Sequence, residues 1–151
     1  MKNKNIIITG GNAGIGLATS IALAKQGANI YIVSRNRDKA EEAVKTITAE
    51  SGYQNVKYFL ADLSSQKSIR QLASQIKNEL SVIDVLINNA GGTFSDFTLS
   101  EDGLEMTIAT NHFAYFLLTN LLLDLIKKSD YARIVNVSSG SHYKGKIAFE
   151  S

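Results

Sequence analysis

Five short runs of mainly β-branched apolar residues set the limits on what this chain can fold into. They are "NIIIT" (5–9), "NIYIVS" (29–34), "VKYFLA" (56–61), "VIDVLIN" (82–88) and "RIVNVS" (133–138). Apart from isolated polar residues the runs are continuous and do not alternate. This is the pattern of parallel strands covered on both faces. The stretches between them keep helical spacing: Ala40, Ala43, Val44 and Ile47, then Ile69, Leu72, Ala73, Ile76 and Leu80. Gly27 and Gly52 stand where the first two helices should stop, and Ser64 or Ser65 can cap the third. A fourth helix is predicted over 101–128, capped by Ser100, with Glu101 and Asp102 at its positive end and Lys127 and Lys128 at its negative end. Strand alternating with helix, joined by right-handed crossovers, predicts an α/β fold with a doubly wound parallel sheet.

At 151 residues the chain has the length of one domain, taken as 1–151. Its 16 basic and 14 acidic residues are interspersed, so nothing in its charge favours nucleic acid or an anionic membrane. It has no cysteine, and His112 and His142 make no metal set without further ligands. The most apolar stretch, 113–126, is interrupted by Thr119, Asn120 and Asp124 and is too short for a membrane span. Three consecutive isoleucines near the start are too few for a secretory signal, so a cytoplasmic protein is expected. The predicted fourth helix is apolar over more than one stripe. It is either a core helix or a face for a second copy.

The first strand runs directly into "TGGNAGIG" (9–16), and a helix follows. Glycines in such a turn let a diphosphate approach main-chain amides where the helix dipole favours anions. The bland alternative is a helix start that happens to be rich in small residues. Its place after the first strand of a βαβ unit favours the dinucleotide reading of a Rossmann-type sheet, with Gly10, Asn12, Ala13, Gly14, Ile15 and Gly16 around the phosphates.

The spacing Gly-x-x-x-Gly-x-Gly resembles that of the short-chain dehydrogenase/reductase superfamily, and further stretches agree in order. "ADLS" (61–64) resembles the family's adenine-contacting turn, which implies Asp62 and Leu63 at the adenine. "NNAGG" (88–92) implies Asn89, Ala90 and Gly91 beside the adenosine end of the cofactor. "TNHFAYFLLT" (110–119) resembles the helix whose asparagine, here Asn111, belongs to the catalytic set, and "IVNVSSGSH" implies Ser139 as the carbonyl-binding serine. The last two stretches resemble the retinol dehydrogenase-like branch. Each residue also has an ordinary reading: Asp62 as a helix cap, Asn88 and Asn89 as turn residues, Ser138 and Ser139 as a strand end. Asn111 on an apolar helix is the more informative, because a buried amide needs partners.

Cofactor preference is set at the end of the second strand. An acid there binds ribose hydroxyls, whereas an arginine accommodates a 2′-phosphate. Here the sequence reads Ser34, Arg35, Asn36, Arg37, with no acid before Asp38, which points to NADP(H), with NAD(H) as the alternative.

The resemblance further implies hydride transfer between the nicotinamide and a small-molecule carbonyl or alcohol. A tyrosine and a lysine four residues on would follow the serine by roughly a dozen to two dozen residues. No such pair follows Ser139. "YK" (143–144) lacks the step, and Tyr53 with Lys57 lies far upstream. The expectation is therefore five N-terminal strands of a longer fold, binding cofactor without turnover. The alternative is a non-catalytic dinucleotide-binding or regulatory module. An apolar last strand at an open sheet edge adds the expectation of homo-oligomers.

Overall fold

β1 (Asn5–Thr9) shows why these strands read as unbroken apolar runs. Ile7 points into one core while Ile6 and Ile8 point into another on the opposite face, and all three are 0% exposed. Each fully buried isoleucine contributes about 1.5–3 kcal/mol relative to an exposed one, so a one-residue slip of this strand is strongly disfavoured.

This computed structural model of the chain describes residues 1–145; residues 146–151, part of the expected domain, lie outside that range. After β1 come α1 (Gly14–Lys25), β2 (Asn29–Ser34), α2 (Arg37–Ser51), β3 (Val56–Leu60), α3 (Gln66–Glu79) and β4 (Val85–Asn88). A helical stretch follows, made of α4 (Met106–Ile108), a π-helical turn (Ala109–Phe113) and α5 (Ala114–Ile126). β5 (Arg133–Asn136) and a 3-10 turn (Gly140–Lys144) complete the described chain. The strands form one sheet in the order β3-β2-β1-β4-β5, and every pairing is parallel. α1 and α2 cover one face, α3 and α5 the other. The doubly wound Rossmann-type sheet is thus the observed fold. The chain winds outward from β1 to β3 and then returns to β4, so the order reverses between β1 and β4. A crevice opens there at the carboxyl ends of the strands.

Ser65 is the cap of α3, its Oγ accepting from Ser68 N at 3.1 Å, and Gly52 closes α2 at φ 71°. The predicted fourth helix is corrected. It begins at Met106, not at residue 101, and Glu105 caps it, its carboxylate accepting from Thr107 N at 2.8 Å and Ile108 N at 3.0 Å. Ser100 instead closes a tight loop, accepting from Leu104 N through its hydroxyl. Glu101 accepts from the Ser65 hydroxyl, and Asp102 accepts from Gln66 N at 2.8 Å. The two acids serve the positive end of α3, packed against them across the fold.

At the amino edge of the sheet Asp84 joins three segments. It accepts from Asn5 N at 2.8 Å, Lys4 Nζ at 3.1 Å and Ser129 Oγ at 2.6 Å. Burial works to raise its pKa, but the hydrogen bonds from Ser129, Asn5 and Lys4 outweigh that and hold the carboxyl below its usual value. Among the described residues no helix is long and apolar enough to cross a membrane.

Candidate functional site

The crevice begins where β1 ends. Gly10 takes φ 65°, which a side chain would strain, and its N–H donates to Val33 O at 2.8 Å. α1 then starts from Ala13, whose side chain offers no cap, and its first turn carries no acid. The starts of α2, α3 and α4 differ: Asn36, Ser65 and Glu105 each satisfy amides of their own helix. The leading amides of α1 are left for an outside acceptor. Gly16 is held close to the turn, since a Cβ there would stand 2.2 Å from Gly10 O and 2.6 Å from Asn89 Nδ2. Asn12 is half-buried in the same turn, and Ile15 is exposed at the head of the helix.

Thr9 ties this turn to the one after β4. Its buried Oγ accepts from Asn89 N at 2.9 Å and Ala90 N at 3.0 Å, and it donates to Ile87 O at 3.4 Å. Asn89 Nδ2 donates back to Thr9 O at 2.9 Å. Sequence reasoning passed over Thr9. The available signal was a lone hydroxyl ending a run of isoleucines, which a buried position must satisfy.

On the β2–β3 side, Ser34 is buried and engaged with its own turn, donating to Asn36 O at 3.1 Å and accepting from Asn36 N at 3.2 Å. Arg37 Nη1 donates to Tyr58 OH at 3.0 Å, and that hydroxyl donates to Glu41 at 2.9 Å. Arg35 is exposed and free of ion pairs among the described residues. Asp62 Oδ1 accepts from Ser64 N at 2.9 Å and Ser64 Oγ at 2.7 Å, so one carboxylate oxygen serves its own turn. Leu63 packs against the α3–α5 core.

On the β4–β5 side, Asn111 lies in the π-helical turn and is exposed. Its partners come from one residue: Oδ1 accepts from Gly92 N at 2.9 Å and Nδ2 donates to Gly92 O at 2.8 Å. A Cβ on Gly91 would sit 2.8 Å from Asn111 Oδ1. The five-residue step between buried Ala109 and buried Ala114, followed by steps of four to Leu118 and Leu122, is the trace the π turn leaves in the sequence. Beneath it Asn88, 0% exposed, donates to Thr119 Oγ1 at 3.1 Å and Asn136 Oδ1 at 2.8 Å, joining β4 to α5 and β5.

Ser139 caps the final 3-10 turn. Its Oγ accepts from Ser141 N at 3.2 Å and lies 3.2 Å from Ser141 Oγ, while its carbonyl accepts from His142 N at 3.2 Å. Asn89, Gly91, Asn111, Ser138 and Ser139 meet around a groove of about 420 Å³. His142 and Tyr115 also line it, and neither was singled out from the sequence for this place. Tyr143 is exposed on the final turn, and Tyr53 OH donates to Asn29 Oδ1 at the amino end of β2, away from the carboxyl ends of the strands. The structure thus divides the candidate residues into a glycine turn after β1, a group beyond β2 and β3, and a group around the β4–β5 groove.

Comparison with known proteins agrees with this geometry. The short chain dehydrogenase family matches residues 4–150. Retinol dehydrogenase 13 of Homo sapiens is 45% identical over 147 residues, covering 97% of this chain and 44% of that protein. Among solved structures, an uncharacterized protein from Mycobacterium Paratuberculosis superposes with a TM-score of 0.84 at 38% identity, over 99% of this chain and 51% of that one. A short chain dehydrogenase from Escherichia coli CFT073 complexed with NADPH gives 0.82 at 27% identity, over 97% of this chain and 62% of that one. The chain spans about half the length of these relatives.

Proposed function

The chain belongs to the short-chain dehydrogenase family and resembles its retinol dehydrogenases, and from that premise we propose that it is the cofactor-binding portion of an NADP(H)-dependent oxidoreductase interconverting a carbonyl and an alcohol. The observation that carries the reading is the start of α1, uncapped and closed against Gly10 by a glycine that no larger residue could replace. Gly10, Asn12, Ala13, Gly14, Ile15 and Gly16 would hold the diphosphate, with Asn89, Ala90 and Gly91 as the facing wall. Asp62 and Leu63 would meet the adenine. When bound, the nicotinamide would supply or accept the hydride.

Arg35 supports NADP(H) over NAD(H). Arg37 is already committed to Tyr58 and Glu41, whereas Arg35 is free to pair with a 2′-phosphate beside Ser34. Ser139 accepts from Ser141 N and turns its O–H toward the exposed Ser141 Oγ, a partner that a substrate oxygen could replace. Asn111 spends one amide hydrogen and one lone pair on Gly92 and has one of each left to hold a water. The reading extends to a single dinucleotide-binding domain in a cytoplasmic protein that pairs with further copies through the exposed apolar residues of β5 and α5.

Titration with NADPH and NADH tests the proposal. NADPH is expected to bind more tightly. Arg35→Ala should weaken NADPH by about ten- to hundredfold and leave NADH nearly unchanged. Equal binding of the two cofactors by the unsubstituted chain would overturn the preference, and binding of neither would overturn the dinucleotide reading. No steady turnover is expected from these 151 residues with retinol, aldehydes or ketones, because no Tyr-x-x-x-Lys follows Ser139.

A further inference from the structure

Tyr115 follows Asn111 by about one helical turn and shares its face. Both line the groove with Ser139 and the adjoining groove between α5 and β5. The ring is half-buried, and its hydroxyl lies 3.9 Å from where a Cβ on Gly91 would stand. Burial alone raises its pKa, and among the described residues no group hydrogen-bonds the hydroxyl.

The strand order fixes which part of a dinucleotide this hydroxyl could meet. With phosphates at the start of α1, the ligand straddles the reversal between β1 and β4. One half extends over β2 and β3, toward Arg35 and Asp62. The other extends over β4 and β5, toward Gly91, Ser138 and Tyr115. Resting on the dinucleotide reading above, we infer that the Tyr115 hydroxyl contacts the nicotinamide ring of the ligand, donating to its carboxamide oxygen.

The phenol does not stand in for the family's acid/base tyrosine. That role needs a neighbouring lysine to lower the pKa, whereas Tyr115 is shifted upward with no cation acting on it. It stays protonated through neutral pH and acts as a fixed donor. The hydroxyl opens onto the groove with no protein partner among the described residues, so an acceptor oxygen placed there can take its proton without displacing an internal bond.

The test compares NADPH with 2′-phospho-ADP-ribose, the same molecule without the nicotinamide, on the unsubstituted chain and on Tyr115→Phe. The ring is retained, and matching melting temperatures would show that the fold is too. Tyr115→Phe is expected to weaken NADPH about three- to tenfold and to leave 2′-phospho-ADP-ribose unchanged, equally from about pH 6 to 9. An unchanged affinity for NADPH, or a parallel loss for both ligands, overturns the inference. Failure of the unsubstituted chain to bind 2′-phospho-ADP-ribose overturns the dinucleotide reading itself, a separate outcome.

Discussion

β1 and β5 carry similar apolar runs and end in very different surroundings. Ile6, Ile7 and Ile8 are wholly buried between two helical layers, with β2 on one side and β4 on the other. Ile134 is 39% exposed and Val135 44% exposed, and among the described residues β5 has a strand on one side only. An apolar run therefore announces a strand, but its neighbours decide how much that strand stabilises. The difference matters for the candidate site because the glycine turn grows from the enclosed strand and Ser139 from the open one. The first part of the site is set by packing already present. The second is held by Asn88 from below and by its own 3-10 turn.

The largest expected effect breaks the enclosed side. Gly16→Ala places a methyl group against Gly10 O, which should cost about 3 kcal/mol or more and remove measurable NADPH binding. Binding that survived, measured by calorimetry, would mean that the phosphates are held elsewhere. Next comes the direct comparison of the two strands by urea unfolding. Ile7→Ala should cost about 2–5 kcal/mol, whereas Ile134→Ala should cost under about 1 kcal/mol. Equal losses would show that β5 is covered in solution, as pairing with a second copy would do. The smallest effect lies in the seam joining both strands at the amino edge. Asp84 has a depressed pKa, so its stabilisation is complete above the unfolded value of about 3.9 and is lost as pH falls through the folded value. Asp84→Asn should cost about 1 kcal/mol at neutral pH and make the acid limb of a melting-temperature profile shallower. An unaltered profile would assign the acid sensitivity to other carboxyls.

The strands and the first three helices were legible because their signals are local. A strand buried on both faces has no room for alternation, and the caps Ser65 and Gly52 act within a few residues of themselves. The start of the fourth helix was misread for the opposite reason. Ser100, Glu101 and Asp102 have the composition of a helix start, yet the acids cap α3, 36 residues away. No window of sequence contains that contact. Glu105, the residue that does cap, is an uncommon choice for the position. Asn111 was picked out correctly as a residue with partners to find, but its exposure and its pairing with Gly92 depend on a turn one residue wider than the helical period. Thr9 and Tyr115 went unnoticed because an isolated hydroxyl, even one that breaks an apolar run, does not name its partner. Only the fold shows what lies opposite.

The Thr9 hydroxyl holds two consecutive amides of the neighbouring turn as well as a carbonyl of its strand. Through that one oxygen, the rim of the crevice is fastened to the strand at the centre of the sheet. In hydrogen exchange, the Asn89 and Ala90 amides should open with the sheet centre, while the loop beyond Gly92 exchanges early. The two walls of the crevice would then part only when the domain itself comes apart.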